Sequence, residues 1–419
     1  MSAAPIPQTL APPRAALAPR TAVAMFGLLL LAYAVNAMDR MVFPVLLVEV
    51  RGEYGFSLEA AGLQATVFAL GMGLAGLPSG WLQRTLGRKW TIVAGTVVFS
   101  LATALTTVST GFTDMLLWRV LSGAGEAFQL AALITVASSA FPARRGMAIG
   151  SVNTAFAVGS IIGPALGSGL LEGYGTWRAP MIAYGTIGVA LAIAIAVLVS
   201  PRLTELDSSA GSTSHTGGAG TLLAHNPLVL AVITALFGLT DFAFIGLYAS
   251  YLREQLHFTP SAAGFVVGLS GLAAFASPLG GHLVDRMSPR LLLTTLNLGV
   301  AVCGCALFLG PGSMTSQATF SFLFGLFASS GVYVAAAGYL VKSVSSENVS
   351  RAAGLFVTCI YVAAGLAGLL FSTLITATGW TTAALVQIVG FSVLGAALAL
   401  TLRPHLFSSA DASNTSRDL

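Results

Sequence analysis

Apolar stretches long enough to cross a bilayer recur along the whole of this 419-residue chain. They run near 22–46, 60–82, 90–110, 113–140, 146–171 and 179–200, and again near 227–252, 261–284, 290–310, 316–342, 352–376 and 381–402. At 1.5 Å per residue, about 20 apolar residues span a hydrocarbon core of ~30 Å. Backbone polar groups find no water at that depth, so segments of this kind fold as helices. Charged residues are only 8% of the chain and hydrophobic residues 56%, with a mean hydropathy of +0.86. A soluble domain carries about 25% charge. The expectation is therefore an all-α membrane protein with twelve transmembrane helices.

Residues 1–20 are rich in Ala and Pro and lack acids. The apolar run that follows is too long for a signal h-region and has no small-residue cleavage site, so it reads as a first span kept in the mature protein. Residues 201–226 contain Glu205 and Asp207 in a Ser/Gly/Thr-rich setting that could build no core. This divides the chain into a tail (1–20), a six-helix half (21–200), a linker (201–226), a second half (227–403) and a tail (404–419). Lys and Arg set the orientation. With the N-terminus inside, the tails, the linker and the loops at Arg84–Lys89, Arg144–Arg145, Arg286–Arg290 and Lys342–Arg351 are cytoplasmic, and only Arg51, Arg178 and Arg253 fall outside. Both termini are then cytoplasmic.

The halves repeat. Phe56-Ser57 through Ala60-Ala61-Gly62 corresponds to Phe258-Thr259 through Ala262-Ala263-Gly264, and the same offset sets Asp241 opposite Asp39. Parallel repeats of this kind place a transport site between the halves. Charge inside the spans points to the same region. Leu116–Leu133 is apolar, yet it carries Arg119 and Glu126 seven residues apart. Both lie on one helix face, roughly 10 Å apart along the axis, and an ionised group at this depth costs about 2.5–3.5 kcal/mol on insertion scales. Such residues face a protein-lined interior, either as a working site or as an ion pair that fixes packing. Arg offers a bidentate fork for a carboxylate. An acid held away from water can take up and release a proton near neutrality.

The run Gly80-Trp81-Leu82-Gln83-Arg84-Thr85-Leu86-Gly87-Arg88-Lys89 resembles the loop signature of the major facilitator superfamily, with Arg84 standing where that family has Asp. A second copy, Gly281 to Arg290, keeps Asp285-Arg286 in place. The resemblance covers residues 21–403 and implies two pseudo-symmetric six-helix bundles, the major facilitator fold. It also implies a conformational gate at Gly80, Arg84, Gly87, Arg88, Asp285, Arg286 and Glu347. Because Arg84 breaks the family pattern, the expectation from the residues themselves is a reversed polarity, with Arg84 pairing with Glu347 in the outward-open state and Asp285 facing Arg144 and Arg145; the alternative is that Arg84 is only a positive-inside residue of a solvated loop. Asn36-Ala37-Met38-Asp39-Arg40 and Arg119-x-x-x-Gly123-x-Gly125-Glu126-Ala127 resemble elements of the anion:cation symporter family, with Ala37 departing from the usual Tyr; spinster-type lipid transporters share the constellation. Carried across, Arg40 and Arg119 would hold a substrate carboxylate, and Asp39 and Glu126 would couple protons. Asp39 could instead bridge Arg119, or one of Asp39 and Arg40 could snorkel. Asp241 is a second proton site or a gate between the halves. Tyr33, Gln129, Asn153, Tyr333 and Tyr361 are candidate cavity-wall groups, along with Phe128 and Tyr248.

The function implied is proton-coupled symport of a small organic anion by alternating access. It would act in a bacterial-type inner membrane, as a monomer among lipid, with no cofactor or metal. The alternative is a proton-driven exporter of drugs or metabolites, favoured by the spacing of Gly150, Gly159, Gly163-Pro164 and Gly167, which resembles an antiporter signature and also suits helix packing. The net charge of +4 is no nucleic-acid signal. Cys303, Cys305 and Cys359 form no metal or redox motif. No Gly-x-Ser-x-Gly, His-Glu-x-x-His or phosphate-loop motif points to an enzyme. His215, His225, His257, His282 and His405 lie in loops or near span ends.

Overall fold

The computed structural model describes residues 18–141, 145–205 and 218–407. Twelve helical spans are present among them. The first six are α1 (Pro19–Tyr54), α2 (Leu58–Thr66 continued by Phe68–Leu86), α3 (Arg88–Thr106), α4 (Phe112–Ala140), α5 (Arg145–Tyr174) and α6 (Arg178–Leu198). The second six are α7 (His225–Glu254), α8 (Pro260–Leu272, a 3₁₀ turn Ala273–Ala276, then Ser277–Arg286), α9 (Pro289–Leu309), α10 (Met314–Phe327, a π turn Ala328–Val332, then Tyr333–Lys342), α11 (Val349–Thr378) and α12 (Trp380–Ala384, a π turn Leu385–Gly390, then Phe391–Leu400). Among the described residues there is no strand, only an isolated bridge between Ala219 and Val344. The all-α fold of twelve spans agrees with the hydropathy pattern.

One boundary differs clearly. The sequence suggests that α1 ends near residue 46, but it runs on to Tyr54 and stops at Gly55 in the left-handed conformation (φ 65°). The added turns carry Glu49, Arg51 and Glu53, which look like loop residues by composition. Each has an ion-pair partner: Arg253, Glu254 and Arg178 respectively. All three arginines expected outside thus meet at one end of the molecule.

Small residues set the helix spacing. A Cβ at Gly123 would lie 1.8 Å from the Phe68 carbonyl oxygen, so α4 touches α2 backbone to backbone. On α5, Gly159, Gly163 and Gly167 rest on Ala34, Met38 and Val42 of α1. Contacts between the halves run through α1–α7, α2–α11 and α5–α8. Near one end, Thr66 Oγ1 donates to the Gly365 carbonyl, Gly368 N donates to Thr66 Oγ1, and Ser261 N and Oγ donate to Glu172. The pairs Arg51–Glu254 and Arg253–Glu49 lie at this same end. At the other end Arg84, Met147, Arg286 and Glu347 are exposed. These hydrogen bonds and ion pairs join the halves at the end expected outside.

Candidate functional site

Three spans of the first half bring their polar residues together. On α1, Asn36, Asp39 and Arg40 share one face through i, i+3 and i+4 spacing. On α4, Arg119, Ser122, Glu126 and Gln129 repeat at intervals of three and four. On α3, Thr96 and Thr103 are two turns apart and face the same way. A Cβ at Gly95 would lie 2.6 Å from the Gly125 carbonyl oxygen, so α3 and α4 approach closely enough to close the third side. All nine residues are buried.

Arg40 and Glu126 form the central ion pair. Both Nε and Nη2 of Arg40 lie 2.8 Å from Glu126 Oε2. Desolvating two charges is offset only by good geometry and further partners. Arg40 has these: Asn36 Oδ1 at 3.4 Å, and the faces of Phe156 and Phe68 with centroids at 5.3 and 5.9 Å. Asn36 in turn donates to Gln129 Oε1 (2.7 Å), and Gln129 Nε2 donates to Thr96 (3.0 Å).

Neither alternative left open for Asp39 and Arg40 is found. Both are buried, so neither snorkels. Asp39 makes no ion pair with Arg119; its Oδ2 accepts from Thr103 Oγ1 (2.7 Å) and Ser122 Oγ (3.0 Å). Arg119 is drawn elsewhere, its guanidinium 4.2 Å from the Phe43 centroid and 5.2 Å from that of Phe68, with Nε donating to the Gln64 carbonyl at 3.4 Å. This leaves Asp39 Oδ1 and Arg119 Nη2 buried without partners. Ser122 Oγ also lies 3.4 Å from Glu126 Oε1. A hydroxyl has one proton to donate, so Ser122 can serve both acids at once only if one of them is protonated and donates back.

Tyr33, Tyr333 and Tyr361 lie within electrostatic reach of one another, with Arg40 close to Tyr33 and Tyr333. Tyr333 is 38% exposed although it sits at this depth, packed edge-on against Phe356. Gln129 is fully buried, with both ends of its amide engaged as described. Asn153 is exposed on α5. Tyr248 is buried in the second half, its hydroxyl donating to Gln317 Oε1 at 2.8 Å, and Phe128 packs beside Phe68 and Phe242. Asp241, midway along α7, lies outside the Arg40–Glu126 network.

The expected gate residues sit at the end opposite the Arg51–Glu254 and Arg253–Glu49 pairs. Gly87 has φ +81°, a conformation that favours glycine. Arg88 Nη1 donates to Ser139 Oγ and the Thr204 carbonyl. Asp285 pairs with Lys342 at 2.6 Å, and Arg84, Arg286 and Glu347 are exposed. Gly80 lies beneath the Arg84 guanidinium, 3.9 Å from where its Cβ would be. Sequence reasoning passed over Thr103, Ser122, Gln64 and the aromatic pair Phe68 and Phe156. The recurrence of Arg119, Ser122, Glu126 and Gln129 at three- and four-residue steps was a usable signal for Ser122.

The sequence matches the family model described as Major Facilitator Superfamily over residues 29–237 and 230–416. It is 26% identical over 340 residues to the Arabidopsis thaliana protein named probable anion transporter 6, chloroplastic, covering 74% of this chain and 66% of that one. It is 24% identical over 351 residues to the probable L-galactonate transporter of Escherichia coli strain K12, covering 76% and 77%. This chain spans only 66% and 57% of the length of the two chloroplastic anion transporters it matches in Arabidopsis thaliana and Oryza sativa. A bacterial homologue of the human lysosomal transporter Spinster, solved in an inward-facing and occupied conformation, shares the fold with a TM-score of 0.76 at 17% identity, over 91% of this chain and 97% of that one. With a family model spanning both six-helix halves, the chain belongs to the major facilitator superfamily.

Proposed function

We infer that the protein moves a small organic anion together with protons by alternating access. The buried 2.8 Å pair between Arg40 and Glu126 carries this reading. With Glu126 ionised, Arg40 is already neutralised from within. A proton on Glu126 removes that charge and frees the Arg40 fork for a substrate carboxylate. Proton and anion then load as a unit, and the site stays near neutrality through the cycle. Ser122, within reach of both Asp39 and Glu126, links the two acids as proton positions. Arg119, with Nη2 unpartnered and closed off in this arrangement, is a second carboxylate fork for the state in which the outer face opens. Tyr33, Tyr333 and Tyr361 supply hydroxyls along the cavity.

Relatives named for L-galactonate, sulfoacetate and tartrate support an organic acid as the substrate class, since each of these ions carries a carboxylate. The uneven distribution of loop Lys and Arg supports cytoplasmic termini, the compact loops support a bacterial-type inner membrane location, and the proposed unit is a monomer. The exporter alternative drew on the α5 glycines, and three of these are engaged in packing against α1.

The test is Glu126→Gln in proteoliposomes. This change mimics the protonated acid, so substrate binding and counterflow exchange should persist while accumulation driven by a pH gradient is lost. Accumulation with unchanged pH dependence would remove Glu126 from the mechanism.

A further inference from the structure

The two buried acids of the first-half site each have partners: Glu126 has Arg40, and Asp39 has Thr103 and Ser122 on Oδ2. Asp241 on α7 is different. It is only 8% exposed, and among the described residues it has no hydrogen-bond donor and no ion-pair partner. An ionised carboxylate at this depth, costing about 2.5–3.5 kcal/mol on insertion scales, calls for a cation.

The carboxylate borders a cavity of about 30 Å³ at the seam between the halves, lined by Met41, Phe156 and Ser160 on one side and by Phe244, Ser270 and Ser329 on the other. Ser160 is 2% exposed, and its hydroxyl has no partner. Two unpartnered polar groups, one from each half, therefore border the same small space. Ser270 Oγ donates to the Val267 carbonyl at 2.7 Å, which leaves its lone pairs available. The two spans bordering the second side are both interrupted here, α8 by its 3₁₀ turn at Ala273–Ala276 and α10 by its π turn at Ala328–Val332. Interrupted membrane helices expose backbone carbonyls of the kind that coordinate cations.

We propose that Asp241, Ser160 and Ser270 form a sodium-binding site across the seam between the two halves. Size and charge select the ligand. The cavity holds roughly two waters at ~10–15 Å³ each, far below the ~300 Å³ or more of an organic ligand site. One carboxylate balances one positive charge, and carboxylate, hydroxyl and carbonyl oxygens suit a hard cation. Because its ligands come from both halves, the ion would bind best where the seam is closed. The site adds a cation to the proposed anion–proton cycle and does not depend on it.

The experiment is a binding measurement on purified full-length protein at pH 8, titrating NaCl against choline chloride and KCl at constant ionic strength and reading the thermal midpoint. Sodium should raise it by about 2–4 °C in a saturable manner, while choline and potassium should not. Asp241→Asn should abolish the rise, and Ser160→Ala should move half-saturation about tenfold higher. Equal midpoints in sodium and choline for the wild type would overturn the proposal and leave protonation as the way Asp241 is neutralised. A sodium-dependent rise that survives in Asp241→Asn would place the ion elsewhere, and unchanged half-saturation in Ser160→Ala would refute the seam geometry. If Asp241→Asn does not fold, the wild-type comparison and the Ser160→Ala titration still decide.

Discussion

The outer face should open measurably when Arg51 and Arg253 lose their charge. The two arginines are related by the same offset of 202 residues that relates Phe56 to Phe258, and each reaches across the seam to an acid of the other half. Arg253 grips Glu49 through both terminal nitrogens, at 2.6 and 2.5 Å, with side chains 13% and 25% exposed. Arg51 makes one contact to Glu254 at 2.8 Å, with side chains 35% and 26% exposed. Pairs this accessible contribute about 0.2–1 kcal/mol each, with the bidentate pair toward the upper end. Together they favour the closed outer face by roughly 1–2 kcal/mol, a factor of about 5–30 in the ratio of closed to open. The assay uses a background in which Cys303, Cys305 and Cys359 are replaced by Ser and Ala65→Cys is added. Ala65 is fully buried on α2 and faces Gly246 of α7 across the seam. A membrane-impermeant maleimide applied from outside should react about 5–30 times faster in Arg51→Gln/Arg253→Gln, with Arg253→Gln alone giving most of the gain. High salt should speed the wild type in the same direction. An unchanged labelling rate in the double variant would show that these pairs do not hold the outer face shut.

Three further outcomes are expected. Ser122→Ala removes the one hydroxyl shared by Asp39 and Glu126, so pH-gradient-driven accumulation should fall several-fold while counterflow exchange is retained; equal losses in both assays would make Ser122 merely structural. Gly123→Ala places a methyl 1.8 Å from a backbone oxygen that no side-chain rotation can relieve. Overpacking of this kind costs about 1–3 kcal/mol and should lower the thermal midpoint, whereas Gly150→Ala, which meets nothing within 4 Å, should not; equal midpoints would refute the packing argument. Arg84→Glu and Glu347→Arg should each slow outer labelling of Ala65→Cys, and the double variant should restore it if the two residues pair when the outer face opens. Additive slowing would mean that no such pair exists.

The twelve spans were legible because runs of about 20 apolar residues have one physical solution in a bilayer. The shared face of Arg119 and Glu126 was legible from helical spacing alone. The partner of Glu126 was not. Arg40 and Asp39 are adjacent on α1, and choosing between them requires the depth and rotation of α1 against α4, which are set by backbone contacts. Aromatic side chains complete the choice, since Phe43 and Phe68 hold Arg119 away from Asp39. The extension of α1 to Tyr54 was hidden because Glu49, Arg51 and Glu53 resemble loop residues until their distant partners are seen. The interruptions in α8 and α10 leave no mark in hydropathy, because a 3₁₀ or π turn changes the hydrogen-bond register without changing composition.

The departure at Arg84 has a physical counterpart in the linker. α3 begins at Arg88, directly after the left-handed Gly87, so its first backbone N–H groups and the positive end of its dipole face outward unsatisfied. Glu205 reaches them, with Oε2 accepting from Arg88 N at 3.1 Å and Oε1 from Lys89 N at 2.9 Å. Gly87 is needed here for space as well as for its φ, since a Cβ would stand 3.2 Å from that carboxylate. The corresponding helix of the second half, α9, caps itself, with Ser288 Oγ accepting from Leu291 N at 3.4 Å and Pro289 in the first turn. Asp285 is thereby left to bind Lys342. The two halves therefore meet the same electrostatic requirement by different routes, one through a linker carboxylate and the other through a local serine. Arg84 can carry a positive charge without leaving α3 uncapped, because the acid that this helix end requires arrives from another part of the chain.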